Sequence, residues 1–78
     1  MRHTTFTTLI KKMRCTTKED DNLCKIYDHD SNVMASVNLK DVNELKVMNS
    51  NEHLEIGYRL IKILEICIKF AKTPLNER

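Results

Sequence analysis

Leu23-Cys24-Lys25-Ile26-Tyr27, then Asp28-His29-Asp30-Ser31-Asn32, then Val33-Met34-Ala35-Ser36-Val37-Asn38-Leu39-Lys40 is the stretch that decides the fold of this chain. Its outer segments are rich in residues that suit a pleated, half-buried surface, and its middle holds only residues that tolerate turn geometry. The reading is a β-hairpin. In the second strand Val33, Ala35, Val37 and Leu39 are expected to point one way and Met34, Ser36, Asn38 and Lys40 the other, one face buried and one wet. Val42, Leu45 and Val47 carry the apolar material onward, and the alternation from Glu44 to Met48 predicts a short third strand.

Working outward toward the C-terminus, Asn49-Ser50-Asn51 is a cap-rich turn and Glu52 complements the positive end of a helix beginning there. The helix is predicted over residues 51–72. At 100° per residue Ile56, Leu60, Ile63, Leu64, Cys67, Phe70 and Ala71 form its core face, opposite Glu55, Arg59, Lys62, Glu65, Lys69 and Lys72. Pro74 removes a donor and biases Thr73 away from helix, so the helix stops there and the tail forms a kink and short turn with an exposed end. Toward the N-terminus, Phe6, Leu9, Ile10 and Met13 stand at i, i+3, i+4 and i+7, which predicts a short helix capped by Thr4 or Thr5. The Thr-rich run Thr4–Thr8 is also compatible with a strand. Thr16 to Asn22 has no apolar residue and reads as a solvated connection.

These elements sum to an α+β fold: a short N-terminal helix, an antiparallel hairpin or three-stranded meander, and a long C-terminal helix packed on the sheet. With 78 residues, one domain and one core are expected over 1–78. Three cysteines, Cys15, Cys24 and Cys67, are an odd number at irregular spacing, which favours reduced structural thiols in a reducing compartment. The apolar run from Leu60 to Ala71 is broken by Lys62, Glu65 and Lys69, which argues against a membrane span. The start is not that of a secretory signal. Cytoplasm is the expected location. Thirteen basic and eleven acidic residues leave a formal net charge of +2, too small to imply a polyanionic partner by itself.

Little in the chain resembles a reaction centre. Asp28, Asp30 and Asn32 have the spacing that opens an EF-hand loop, but the sixth position is Val33 where Gly is required and the twelfth is Leu39 where a bidentate Glu should stand. Cys15, Cys24 and His29, with His3 or His53, lack the close cysteine pairs of a structural zinc site. No Gly-rich elbow accompanies the thiols and histidines. Neither enzymatic activity, nor a metal, nor a cofactor is expected.

The stretches Cys24-Lys25-Ile26-Tyr27-Asp28-His29-Asp30-Ser31-Asn32-Val33 and Phe70-Ala71-Lys72-Thr73-Pro74-Leu75-Asn76-Glu77-Arg78 together resemble small uncharacterised phage- and prophage-encoded proteins of low-GC Gram-positive bacteria, which often end in a similar A-x-T-P-x-x-E-R tail. The resemblance carries over no catalytic residue, and the chain departs from it at Val33, where a Gly-containing turn is more usual. It implies a role in binding a protein partner rather than in catalysis.

The leading expectation is therefore a non-enzymatic protein-interaction module, self-associating as a homodimer. Leu54, Ile61 and Ile68 recur at seven-residue spacing along the border of the helix and, with Tyr58, form the candidate surface. The competing use of that seam is packing against the N-terminal helix. The alternative function is a small nucleic-acid-associated regulator using Lys11, Lys12, Arg14, Lys62 and Lys69.

Overall fold

The structure of the chain, a computed structural model, describes residues 1–47 and 58–78, with Tyr58 and Arg59 described through their backbone alone. The amphipathic stripe at the N-terminus forms α1 (His3–Lys12), with Phe6 and Ile10 buried. Neither Thr4 nor Thr5 caps it: the N-cap is Arg2 and no side chain bonds the free N–H groups. The hydroxyls of Thr7 and Thr8 both turn back to the Thr4 carbonyl instead, the local bond that β-branched hydroxyl residues make when held inside a helix. At the other end Arg14 N–H bonds Lys11 O and Cys15 N–H bonds Ile10 O. This is a Schellman closure with Arg14, at φ 60°, in the left-handed position usually given to Gly.

The closure redirects the chain into β1 (Thr16–Asp20), which corrects the expected solvated connection: that stretch is an edge strand. Its burial is slight, with only Thr17 half-buried, so it lacks the apolar alternation by which a strand is recognised. What holds it is pairing. β1 runs antiparallel to β2 (Leu23–Tyr27) from Thr16 opposite Tyr27 to Asp20 opposite Leu23. Asp21 and Asn22, at φ 47° and 65°, make the two-residue loop between them, the geometry whose twist suits a tight hairpin.

The expected hairpin joins β2 to β3 (Val33–Asn38). Asp28 organises its turn, with one carboxylate oxygen accepting from both Asp30 N–H and Asn32 N–H at 2.9 Å. The expected third strand is β4 (Leu45–Val47), paired antiparallel to β3. The meander thus has four strands in the order β1-β2-β3-β4, one more than expected. A bulge corrects the phase of β3: Ile26 faces Ala35 while Tyr27 faces Val33, leaving Met34 as the extra residue. Met34 is therefore buried with Ala35 and Val37 rather than wet, and Val33 is only half-buried.

The C-terminal helix is described as α2 (Tyr58–Lys72). The expected start at Asn51, with Glu52, Leu54, Glu55 and Ile56, lies outside the described residues. Ile63, Cys67, Phe70 and Ala71 of α2 join Phe6, Ile10, Cys15, Cys24, Ile26, Met34, Ala35 and Val37 in one buried cluster, with Leu60 and Leu64 packed against it. Both helices share one face of the sheet, α1 over β1 and α2 over β3 and β4. Burying one apolar stripe of each helix against alternate residues of β2 and β3 is the α+β solution that the sequence pattern calls for.

After Lys72 the chain kinks as Pro74 demands and forms a 3-10 turn at Leu75–Glu77. Thr73 does not cap that turn; its hydroxyl donates to Lys69 O and accepts from the Met1 amino group, each at 2.8 Å. The expected exposed end is also corrected. Arg78 folds back, its guanidinium donating to the carbonyls of Thr73 (3.0 Å), Asn38 (2.7 Å) and Ala71 (2.9 Å).

Candidate interaction surfaces

The groups most capable of covalent chemistry are withdrawn into the core. Cys15, Cys24 and Cys67 are free thiols and all are buried. Burial, with Glu19 nearby, pushes the Cys24 thiol up to about 11. Burial and the neighbouring thiols of Cys24 and Cys15 push Cys67 up to about 12. Thiols so placed are protonated at neutral pH and behave as small apolar side chains. The Cys15 sulfur lies 3.6 Å from Met13 O and 4.0 Å from the Met34 sulfur.

The acidic and imidazole groups serve local structure. Asp28 is lowered from its ordinary value: burial pushes it up, but the N–H groups of Asn32 and Asp30 outweigh this. His3 lies 3.1 Å from Glu19 and packs beside the Phe70 ring, and His29 lies 3.4 Å from Asp30. His53 is outside the described residues. Among the described residues no group of three His, Cys, Asp or Glu side chains is placed to hold a metal ion.

The candidate apolar surface is placed by simple geometry. Phe70 lies toward one edge of the buried stripe of α2, and Phe6 of α1 stacks on it with ring centres 4.2 Å apart. Ile61 and Ile68 lie beyond Leu64 at the other edge, so α1 does not cover them; they are 48% and 42% exposed. Packing of the seam against the N-terminal helix is thus corrected for these two residues. α1 sits over β1 and α2 over β3 and β4. Val47, 51% exposed, is in the edge strand β4, and Val42, 37% exposed, is in the loop before it. The fifth large apolar residue exposed among those described, Leu75, is in the tail. Leu54 and the side chain of Tyr58 lie outside the described residues.

The candidate nucleic-acid residues are divided between the two helices. Lys11, Lys12 and Arg14 are exposed at the end of α1, while Lys62 and Lys69 are exposed on α2 with Glu65 between them. A different basic group comes together on the sheet. Lys18 faces Lys25, Lys25 faces Ser36, and Ser36 faces Lys46, one residue from each strand in a single cross-strand row. The row leaves no trace in the apolar pattern, because Thr16 to Asn22 has no apolar residue and reads as a solvated connection. The available signal was the turn pair Asp21-Asn22 between two five-residue segments of matching length.

Comparisons of the chain with protein-family models, with curated proteins and with solved structures found no match.

Proposed function

We propose that the chain is a small protein-interaction module that associates with a second copy of itself through the outer flank of α2. The observation that carries this reading is that Ile61 and Ile68, two helical turns apart on one side of α2, are 48% and 42% exposed. Large apolar side chains paired on one helix flank are costly to leave in water and favour a contact surface there. Its layout favours a two-fold partner. Two apolar residues separated by two helical turns are self-complementary in an antiparallel crossing, where Ile61 of each helix meets Ile68 of the other, as an isologous contact requires. The strand edge itself is a poor joint, because β4 is three residues long and carries Lys46, both devices that keep edges from pairing.

The burial of all three thiols and the engagement of Asp28 in its own turn support a binding rather than a catalytic role. No helix among the described residues is long and apolar enough to cross a membrane, which is compatible with a cytoplasmic site of action.

Light scattering coupled to gel filtration across a concentration series tests the proposal, on the wild type and on an Ile61→Glu, Ile68→Glu variant. A wild-type dimer and a folded monomeric variant are expected. A wild type that stays monomeric at the highest concentration, or a variant that stays dimeric, overturns it.

A further inference from the structure

We propose that the face of the sheet opposite the helices binds single-stranded nucleic acid, with Lys18, Lys25 and Lys46 holding the phosphates and Tyr27 stacking a base. Among the described residues both helices pack on the opposite face, through Cys24, Ile26, Ala35 and Val37. The face opposite the helices is organised in three rows. The central one is Lys18–Lys25–Ser36–Lys46. One flanking row is Thr16–Tyr27–Val33, uncharged and carrying an aromatic ring. The other is Asp20–Leu23–Asn38, where the Asn38 amide donates to Glu44.

Like charges set directly opposite one another, as Lys18 and Lys25 are, weaken a sheet unless something else employs them. No carboxylate stands in the central row. Lys25 has an ion pair with Asp20 at 3.2 Å, but no ion pair among the described residues involves Lys18 or Lys46. Ser36, short and 3% exposed, sits between the long side chains of Lys25 and Lys46. Beside it opens a depression of about 400 Å³ lined by Leu23, Asn38, Glu44 and Lys46. With strands about 4.8 Å apart, three inter-strand steps make the row about 14 Å long, enough to follow several nucleotides.

The flanks give the face a direction. Asp20 and Glu44 repel a phosphate backbone from one side and confine it to the lysine row. On the other side the ring of Tyr27 offers the kind of sequence-tolerant stacking platform that single strands use. An acidic peptide would use the lysines but gain nothing specific from a ring placed beside them. This surface is distinct from the α2 flank, so the two proposals stand or fall separately.

The test is fluorescence anisotropy of a labelled fifteen-nucleotide oligothymidine and a uridine oligomer of the same length, over a salt series starting near 50 mM. Three variants accompany the wild type: Lys18→Gln with Lys46→Gln, Tyr27→Leu, and Lys62→Gln with Lys69→Gln on α2. Each is checked for folding by circular dichroism. Three neutralised phosphates give a log–log salt slope of roughly −2 for a single strand. The expected result is that slope for the wild type, a slope under about 1 in magnitude and at least tenfold weaker binding for the sheet-lysine pair, several-fold weaker binding for Tyr27→Leu, and no change for the α2 pair. No wild-type binding at the lowest salt overturns the proposal. So does loss of binding in the α2 pair alone, or displacement by polyglutamate with Tyr27→Leu unaffected, which would make the face an acidic-peptide site.

Discussion

The Arg78 guanidinium lies 4.8 Å from the centre of the Phe70 ring. The same group donates to main-chain carbonyls at the end of α2, Ala71 and Thr73, and across to Asn38 at the end of β3. The C-terminal carbonyls of a helix have no partners within it and carry partial negative charge, so a cation with several donors satisfies and neutralises them at once. Because Asn38 belongs to the sheet, the same side chain fastens helix to sheet.

Arg78→Ala removes all of these contacts; the Ala71 carbonyl keeps the Asn43 N–H at 2.8 Å, while those of Thr73 and Asn38 lose the guanidinium. A charged hydrogen bond contributes about 1.5–3 kcal/mol, and a cation over a ring about 0.5–1 kcal/mol where it is partly exposed. Allowing for non-additivity, the loss is about 2–3 kcal/mol, which for a domain of this size lowers Tm by roughly 8–24 °C. Arg78→Lys keeps the charge but not the planar fork, and recovers less than half of the loss. Thermal unfolding of the three proteins checks this; a lysine variant as stable as the wild type would mean that charge alone matters.

The tail was the part of the fold least legible in the sequence. Pro74 showed where α2 ends, but an arginine folding back onto main-chain carbonyls leaves no periodic trace, since its partners are backbone atoms of unrelated residues. The long helix and the central hairpin were legible because their apolar residues repeat at the period of the element. β1 was not, because an edge strand of Thr, Lys, Glu and Asp has no apolar face to repeat. The candidate site divides in the same way. Ile61 and Ile68 could be named from their spacing, whereas the Lys18–Lys25–Ser36–Lys46 row exists only once the register of all four strands is known.

The bulge supplies a second prediction because it reverses what alternation implies for two adjacent residues. A strict period of two puts Val33 in the core and Met34 outside, whereas Met34 is 9% exposed with its sulfur against Cys15. Met34→Ala should then cost about 2–3 kcal/mol, as core truncations do, and Val33→Ala under about 1 kcal/mol. Urea unfolding of both variants decides the matter. The reverse ranking would mean that β3 pairs without its bulge.

The buried thiols predict a pH dependence. Cys24 and Cys67 are raised from an ordinary 9.0 to about 11 and about 12, chiefly by burial. A raised folded value means that the protonated thiol belongs to the native state. Its contribution to stability is complete below the unfolded value and is lost as pH rises toward the folded one. Stability with respect to these groups is flat from pH 6 to about 8 and falls above about pH 9. The alkaline fall is smaller in Cys67→Ala than in the wild type. At pH 7.5 a thiol reagent should label the native protein only as fast as it unfolds, and rapid labelling of any of the three would contradict their burial.

The two-residue loop between β1 and β2 allows a stabilising change. Asp21 and Asn22 both have positive φ, which Asn and Asp tolerate and Gly adopts without steric penalty. The second position of such a turn most favours Gly, so Asn22→Gly relieves the left-handed strain while adding some freedom to the unfolded chain. The net gain is about 0.5 kcal/mol. Asn22→Val, which puts a β-branched side chain at positive φ, loses well over 1 kcal/mol. The pair is informative because β1 has little burial to hold it, so its attachment depends on the turn and its ladder. Amide hydrogen exchange at Lys18 and Lys25 reports on that attachment directly: protection should rise in Asn22→Gly and collapse in Asn22→Val. Unchanged protection in both would mean that contact with α1, not the turn, holds the edge strand and one end of the lysine row in place.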